Sequence, residues 1–123
     1  MTIVLKVTKI SVKGTKICEI WTVRLSDAVG HEQSGQRPAI VCASIDSIGI
    51  AFVIPLTTQL DASRFPLTLK IEKSPENGLD EDSIAMIFQA RALSYNRFVR
   101  RRGVIEVKYH ELIKALLKKY LNI

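Results

Sequence analysis

Apolar and polar residues alternate along most of this chain and switch to a helical period near its end. Ile17–Leu25 (ICEIWTVRL) sets Ile17, Trp21, Val23 and Leu25 on one face, the two-residue repeat of a half-buried strand. Pro38–Ser44 and Ile50–Pro55 are short continuous apolar runs, suited to central strands buried on both faces. Between them, IDSIG predicts a turn. Pro66–Lys73 alternates Leu67, Leu69 and Ile71 outward from a proline, as an edge or curved strand does. Ser74–Asp82, rich in Pro, Asn, Gly and acids, predicts a loop. Ser83–Arg91 alternates again, with Ile84, Met86, Phe88 and Ala90 on one face. Arg100, Arg101 and Arg102 follow the last long strand and precede Gly103, which places them on a loop. Leu112, Ile113, Leu116, Leu117, Tyr120 and Leu121 then repeat at helical spacing opposite Lys114, Lys118 and Lys119. Thr2–Val12 is a candidate extra strand, with nothing to fix its partner. The pattern predicts a mainly β fold: a small, strongly curled antiparallel sheet or barrel with a C-terminal helix.

Composition changes this picture little. With 123 residues, 47% of them apolar, the chain fits one domain with a real core. We find no internal repeat and no low-complexity tract. No apolar run reaches the roughly 20 residues that span a bilayer. The opening MTIVLKVTKISVK alternates, so it lacks the continuous apolar core of a signal peptide. A cytoplasmic protein with no membrane partner is the expectation. Cys18 and Cys42 read as buried, reduced thiols. With His31 and His110 they lack the spacing of a zinc site, so no metal or other cofactor is expected.

Charge adds a direction. The net charge is +6, yet residues 1–90 hold nine Lys/Arg against ten Asp/Glu, and residues 91–123 hold nine against two. The basic excess therefore lies entirely in the last quarter, densest at Arg97, Arg100, Arg101 and Arg102. Such a patch fits a polyanion, an acidic protein or simply a solvated face.

Candidate chemistry lies earlier. Gly30-His31-Glu32-Gln33-Ser34-Gly35-Gln36-Arg37-Pro38 joins the first core strand to the next. Its glycines permit a sharp turn, and Pro38 presets entry to the strand. Arg37 then emerges at a sheet end, where a guanidinium can grip a phosphate with two parallel hydrogen bonds. Pro55-Leu56-Thr57-Thr58-Gln59 ends another strand with two hydroxyls and an amide. If these strands are neighbours, Arg37 and Thr57 meet at one rim.

Taken in order, these segments resemble the MazF/PemK family of toxin endoribonucleases. The resemblance rests on Glu19-Ile20-Trp21 with Val23, the Gly30–Pro38 segment, Pro55–Gln59, Asp82-Ser83-Ile84-Ala85, Gln89-Ala90-Arg91, Arg97 and the hydrophobic tail. It runs from about residue 16 to residue 123, leaving residues 1–15 as an N-terminal extension. The resemblance implies a homodimer that cuts single-stranded RNA at short sequences without a metal, restrained by an acidic antitoxin protein. It implies that Arg37 and Thr57 are catalytic: the RNA 2′-hydroxyl attacks the adjacent phosphorus, leaving a cyclic phosphate and a 5′-hydroxyl. Glu32 and Gln89 match RNA-contacting positions. Gln33, Thr58, Arg91, Arg97, Arg100, Arg101 and Arg102 are further candidates for RNA binding, and His31 for an accessory base.

The pattern also departs from the family. Cys18-Glu19 stands where the family usually has Gly-Asp, and His31 where it often has Ser. Trp21 reads as core or dimer packing. Two alternatives stay open. CcdB, a gyrase poison, resembles this family in fold, but it depends on a C-terminal Trp-Gly-Ile where this chain ends Leu-Asn-Ile. The other alternative is a noncatalytic RNA-binding module.

Overall fold

The computed structural model describes residues 18–25 and 35–123. Thr2–Val12, the extension 1–15, His31, Glu32 and Gln33 lie outside the described residues. Strands β1 (Glu19–Arg24), β2 (Gln36–Ile45) and β3 (Ile50–Thr57) form an antiparallel meander. Its second turn is Asp46–Gly49, where Gly49 takes a positive φ of 67° and donates its N–H to Ile45 C=O. Strands β4 (Thr68–Ile71), β5 (Ser83–Met86), β6 (Arg91–Ser94) and β7 (Phe98–Val104) complete the sheet. The order is β4-β5-β3-β2-β1-β7, with β6 also paired to β3, and the sheet stays open rather than closing as a barrel.

The free edge of β3 is shared. Its first half pairs with β6 (Ile50↔Ser94 to Val53↔Arg91) and its end with β5 (Leu56↔Ala85, Thr57↔Ile84). The segment 83–91 is therefore not one strand, because a 3₁₀ turn at Ile87–Gln89 separates β5 from β6. The apolar alternation runs through this turn unbroken, so the break leaves no trace in the hydrophobic pattern.

A second correction concerns the arginine triplet. Arg100, Arg101 and Arg102 lie inside β7 and not on a loop. Backbone pairing to β1 (Thr22↔Arg100, Trp21↔Arg101) makes the strand, with register shifts on either side of that pair. Cross-strand partners share a face. Arg100 thus shares a face with Thr22, and Arg101 shares the other face with Trp21.

Each face of the sheet carries its own core. Ile20, Ile40, Ile54, Leu56 and Ile71 form one with Ile113 of α1 (His110–Leu121), and Leu116 and Leu117 pack against it. Burying each such side chain contributes about 1.5–3 kcal/mol. Val23, Ala39, Val41, Ala51, Val53 and Leu93 form the other, flanked by Trp21, Tyr95 and Phe98. Trp21 meets Phe98 edge-on with centroids 5.6 Å apart, which places it in packing as its pattern suggests. The helix stripe divides: Leu112 and Leu121 remain exposed, while the Tyr120 hydroxyl donates to Phe88 C=O.

Candidate active site

Arg37 enters the sheet two residues after a glycine that the turn into β2 requires. Gly35 has a φ of 67°, a conformation that side chains with a Cβ disfavour. Its carbonyl accepts the Leu25 N–H at 3.0 Å, extending the β1–β2 ladder to its last residue. β2 and β3 pair antiparallel up to Ala39↔Pro55, and Arg37 and Thr57 each stand two residues beyond that pair, at the same end of the two strands. Both lie on the face of Ala39, Val41 and Val53. The rim that the two sequence segments suggested is present.

A pocket of about 340 Å3 opens there. Arg37, Thr57, Gln59, Gln89 and Arg91 supply its polar wall, and Leu25 and Met86 its apolar part. Thr57 is almost fully buried, and its Oγ1 accepts the Gln59 N–H at 3.2 Å. With that bond occupying a lone pair, the hydroxyl proton is left to donate into the pocket. Arg37 and Arg91 are exposed, and neither has a hydrogen-bond or ion-pair partner among the described residues. Two unpaired guanidiniums beside a hydroxyl donor make an anion site. The larger cleft under α1, about 590 Å3, is mostly apolar and lies on the opposite face. Arg37, Thr57, Gln89 and Arg91 thus converge, and Gln59, quoted in its motif but not singled out, joins them.

The remaining arginines divide. Arg101 shares the Arg37 face but donates its Nε to Glu19 at 2.9 Å. Glu19 is nearly buried, and it also accepts the Trp21 indole N–H. Arg102 turns the other way. Its guanidinium donates to Gly78 C=O, Thr22 Oγ1 and Asp80. Arg100 stands close enough to Asp80 to help hold that carboxyl below its usual range, behind the larger effects of the Arg102 hydrogen bond and charge. Arg97 ends a 3₁₀ turn, Tyr95–Arg97, and Thr58 is exposed beyond β3. Among the described residues, no three His, Cys, Asp or Glu side chains are grouped to hold a metal, and no helix is long and apolar enough to cross a membrane.

An open curled sheet with one terminal helix and an arginine-lined pocket at a strand end defines a small β protein with a candidate anion site. Residues 16–121 match the PemK-like, MazF-like toxins of type II toxin-antitoxin systems, and the chain belongs to that family. It is similar to the Endoribonuclease MazF of Staphylococcus saprophyticus, 29% identical over 82 residues that cover 64% of this chain and 68% of the relative. The crystal structure of MazF from Deinococcus radiodurans shares the fold at a TM-score of 0.71 and 17% identity, covering 89% of this chain and 97% of that one. A MazE-MazF crystal structure from the same organism matches at 0.67 and 14% identity, covering 89% and 96%.

Proposed function

We propose that this toxin is an endoribonuclease that cuts single-stranded RNA at the Arg37–Thr57 rim. The observation that carries the reading is the pocket that Arg37, Thr57 and Arg91 line together at one end of β2 and β3. A phosphate seated there receives the Thr57 hydroxyl and the Arg37 guanidinium. The RNA 2′-hydroxyl gives its proton to water and attacks the adjacent phosphorus. The bond to the 5′-oxygen breaks and that oxygen takes a proton from water, leaving a cyclic phosphate on one product and a 5′-hydroxyl on the other. Arg37 offsets the charge that accumulates on the crowded phosphorus and hydrogen-bonds the leaving oxygen. A single preorganised donor of this kind is worth about 2.7–4 kcal/mol in the transition state. Thr57 fixes the phosphate by hydrogen bonding. Gln89 and Arg91 hold the strand beside the phosphate, and His31, Glu32 and Gln33, which precede Arg37 in the sequence, are further candidates. The chemistry asks nothing of a metal.

The relative's name, Endoribonuclease MazF, supports the activity, and the MazE-MazF complex supports an antitoxin partner. The toxin acts in the cytoplasm, where its RNA is. The test is incubation of a long single-stranded RNA with the protein in EDTA. Cleavage is expected, with a cyclic phosphate end. Arg37→Ala should lower the rate about a hundredfold or more, and Thr57→Ala should impair it, both with an unchanged melting curve. A folded Arg37→Ala protein with full activity would refute the reading. Gyrase inhibition without RNA cleavage would select the CcdB-like alternative, and RNA binding without cleavage the noncatalytic one.

A further inference from the structure

The face opposite Arg37 carries a feature that RNA cleavage does not use. The cleft of about 590 Å3 between α1 and strands β2 and β3 has both of the chain's cysteines in its wall. Cys18 directly precedes β1 and lies beside the Val41–Cys42 stretch of β2. Both cysteines pack against the same core cluster. Chains joined by backbone hydrogen bonds run about 4.7–4.9 Å apart, inside the roughly 4.4–6.8 Å between Cα atoms that a disulfide spans. The Cys18 N–H donates to Val41 C=O at 2.6 Å, holding the chain to β2 at this point.

Neither cysteine sits in plain strand geometry. Cys18 has a φ of 68°, which is rare for a residue with a Cβ. Cys42 falls where the β2–β3 register shifts between Val41 and Ala43, and a bulge of this kind re-aims a side chain. Burial pushes the Cys42 thiol up to about 12, and the neighbouring Cys18 sulfur adds to the rise. His110 lines the same cleft, with a buried Nε2 that has no hydrogen-bond partner among the described residues. In the tautomer protonated at Nδ1, that nitrogen can take a thiol proton.

We propose that Cys18 and Cys42 form an oxidation site, converted by a low-molecular-weight disulfide into an intramolecular cross-strand disulfide. Cys18, the less enclosed thiol, loses its proton and attacks one sulfur of the small disulfide. One small thiol leaves with that proton, and a mixed disulfide remains on Cys18. The Cys42 sulfur, losing its own proton, then displaces the second small thiol. Two cysteines are oxidised and one small disulfide is reduced to two thiols. The new bond closes the segment that carries β1, its connection and Arg37, at the end of β2 remote from Arg37. Because the attacking species is the thiolate, the raised thiols make the step slow at neutral pH and faster in mild alkali.

The test treats the reduced, folded full chain with millimolar glutathione disulfide in mild alkali. The expected product is lighter by two hydrogens, has no free thiol and yields a linked Cys18–Cys42 peptide on digestion under non-reducing conditions. Cys18→Ser and Cys42→Ser should each abolish the bridge. The proposal is overturned if the folded wild type gains glutathione on one or both cysteines without a bridge, or links only between two chains. It is equally overturned if the folded chain keeps both thiols while the urea-unfolded chain oxidises. None of these outcomes depends on RNA cleavage.

Discussion

Arg91 and Arg100 are both exposed, but the sheet turns them to opposite faces. Arg91 is opposite Val53 and lines the Arg37 pocket, whereas Arg100 is opposite Thr22, on the side of Asp80 and Arg102. In a binding assay on an Arg37→Ala background, Arg91→Gln should flatten the log-affinity against log-salt slope by about 0.7, the counterion release of one phosphate contact on a single strand. Arg100→Gln should leave that slope unchanged. An equal flattening by both variants would contradict the facing. Arg102→Gln belongs to stability. Its side chain is 10% exposed and satisfies Gly78 C=O, so its loss should lower urea stability by about 1–3 kcal/mol without altering the slope. The meeting of Arg37 and Thr57 at one rim was legible in the sequence because each flanks an apolar run that had to be a central strand. The facing of Arg100–Arg102 was not. Three consecutive charges carry no alternation, and which face each takes depends on register shifts set by β1.

The Ser74–Leu79 segment reads as a loop, yet it is among the most constrained parts of the molecule. Asn77 is fully buried. Its Oδ1 accepts the Ser74 and Leu79 N–H groups, and its Nδ2 donates to Glu72 C=O and Glu106. The backbone of this segment lies directly on β7: a Cβ on Gly103 would come within 2.4 Å of Glu76 O, and one on Gly78 within 2.0 Å of Arg102 O. Asn77→Ala should therefore cost about 3 kcal/mol or more in a urea melt, since several buried groups lose their partner at once. An effect below 1 kcal/mol, the size seen at unconstrained surface sites, would show that the segment is not pinned. Glu106 adds a pH signature. Burial pulls its carboxyl upward, but the hydrogen bonds from Ser74, Asn77 and its own backbone N–H, with the Lys108 charge, together leave it below its ordinary range. Its contribution is thus present above the ordinary carboxylate pKa of about 4.3 and is lost as pH falls through the lower folded value. Asn77→Ala should weaken that acid-dependent loss. At this scale the central strands and the terminal helix were written in their apolar periods. The anchored loop was not, because Asn, Gly and Glu at turn positions look the same whether solvated or locked by partners that arrive from β7 and beyond.

Charge is the property that belongs to the molecule as a whole. The chain carries +6, with nine basic residues against two acidic ones after residue 90. The structure separates that excess into parts with different uses. Arg101, Arg102 and Lys114 are engaged by Glu19, Asp80 and Glu111. Arg91 joins Arg37 at the pocket, while Lys118 and Lys119 are exposed in the last turn of α1. Exposed apolar groups stand near these lysines, including Leu121 and Ile123 at 53% and 78% exposure. We expect a two-fold dimer and an acidic antitoxin as the partners of such a surface. The first would cover apolar area, and the second would meet the basic excess. Sedimentation checks both in one series. Alone, the protein should sediment at about twice 13.8 kDa at micromolar concentration. Mixed with its acidic partner, it should form a heavier complex whose affinity falls as salt rises, because exposed charges are screened within about 10 Å at 0.1 M salt and about 3 Å at 1 M. Lys118→Gln combined with Lys119→Gln should reduce that salt dependence and leave the dimer intact if the lysines attract the partner and apolar contacts join the two copies. A complex indifferent to salt in the wild type would remove electrostatic capture from the account. A monomer that still cleaves RNA would remove the dimer.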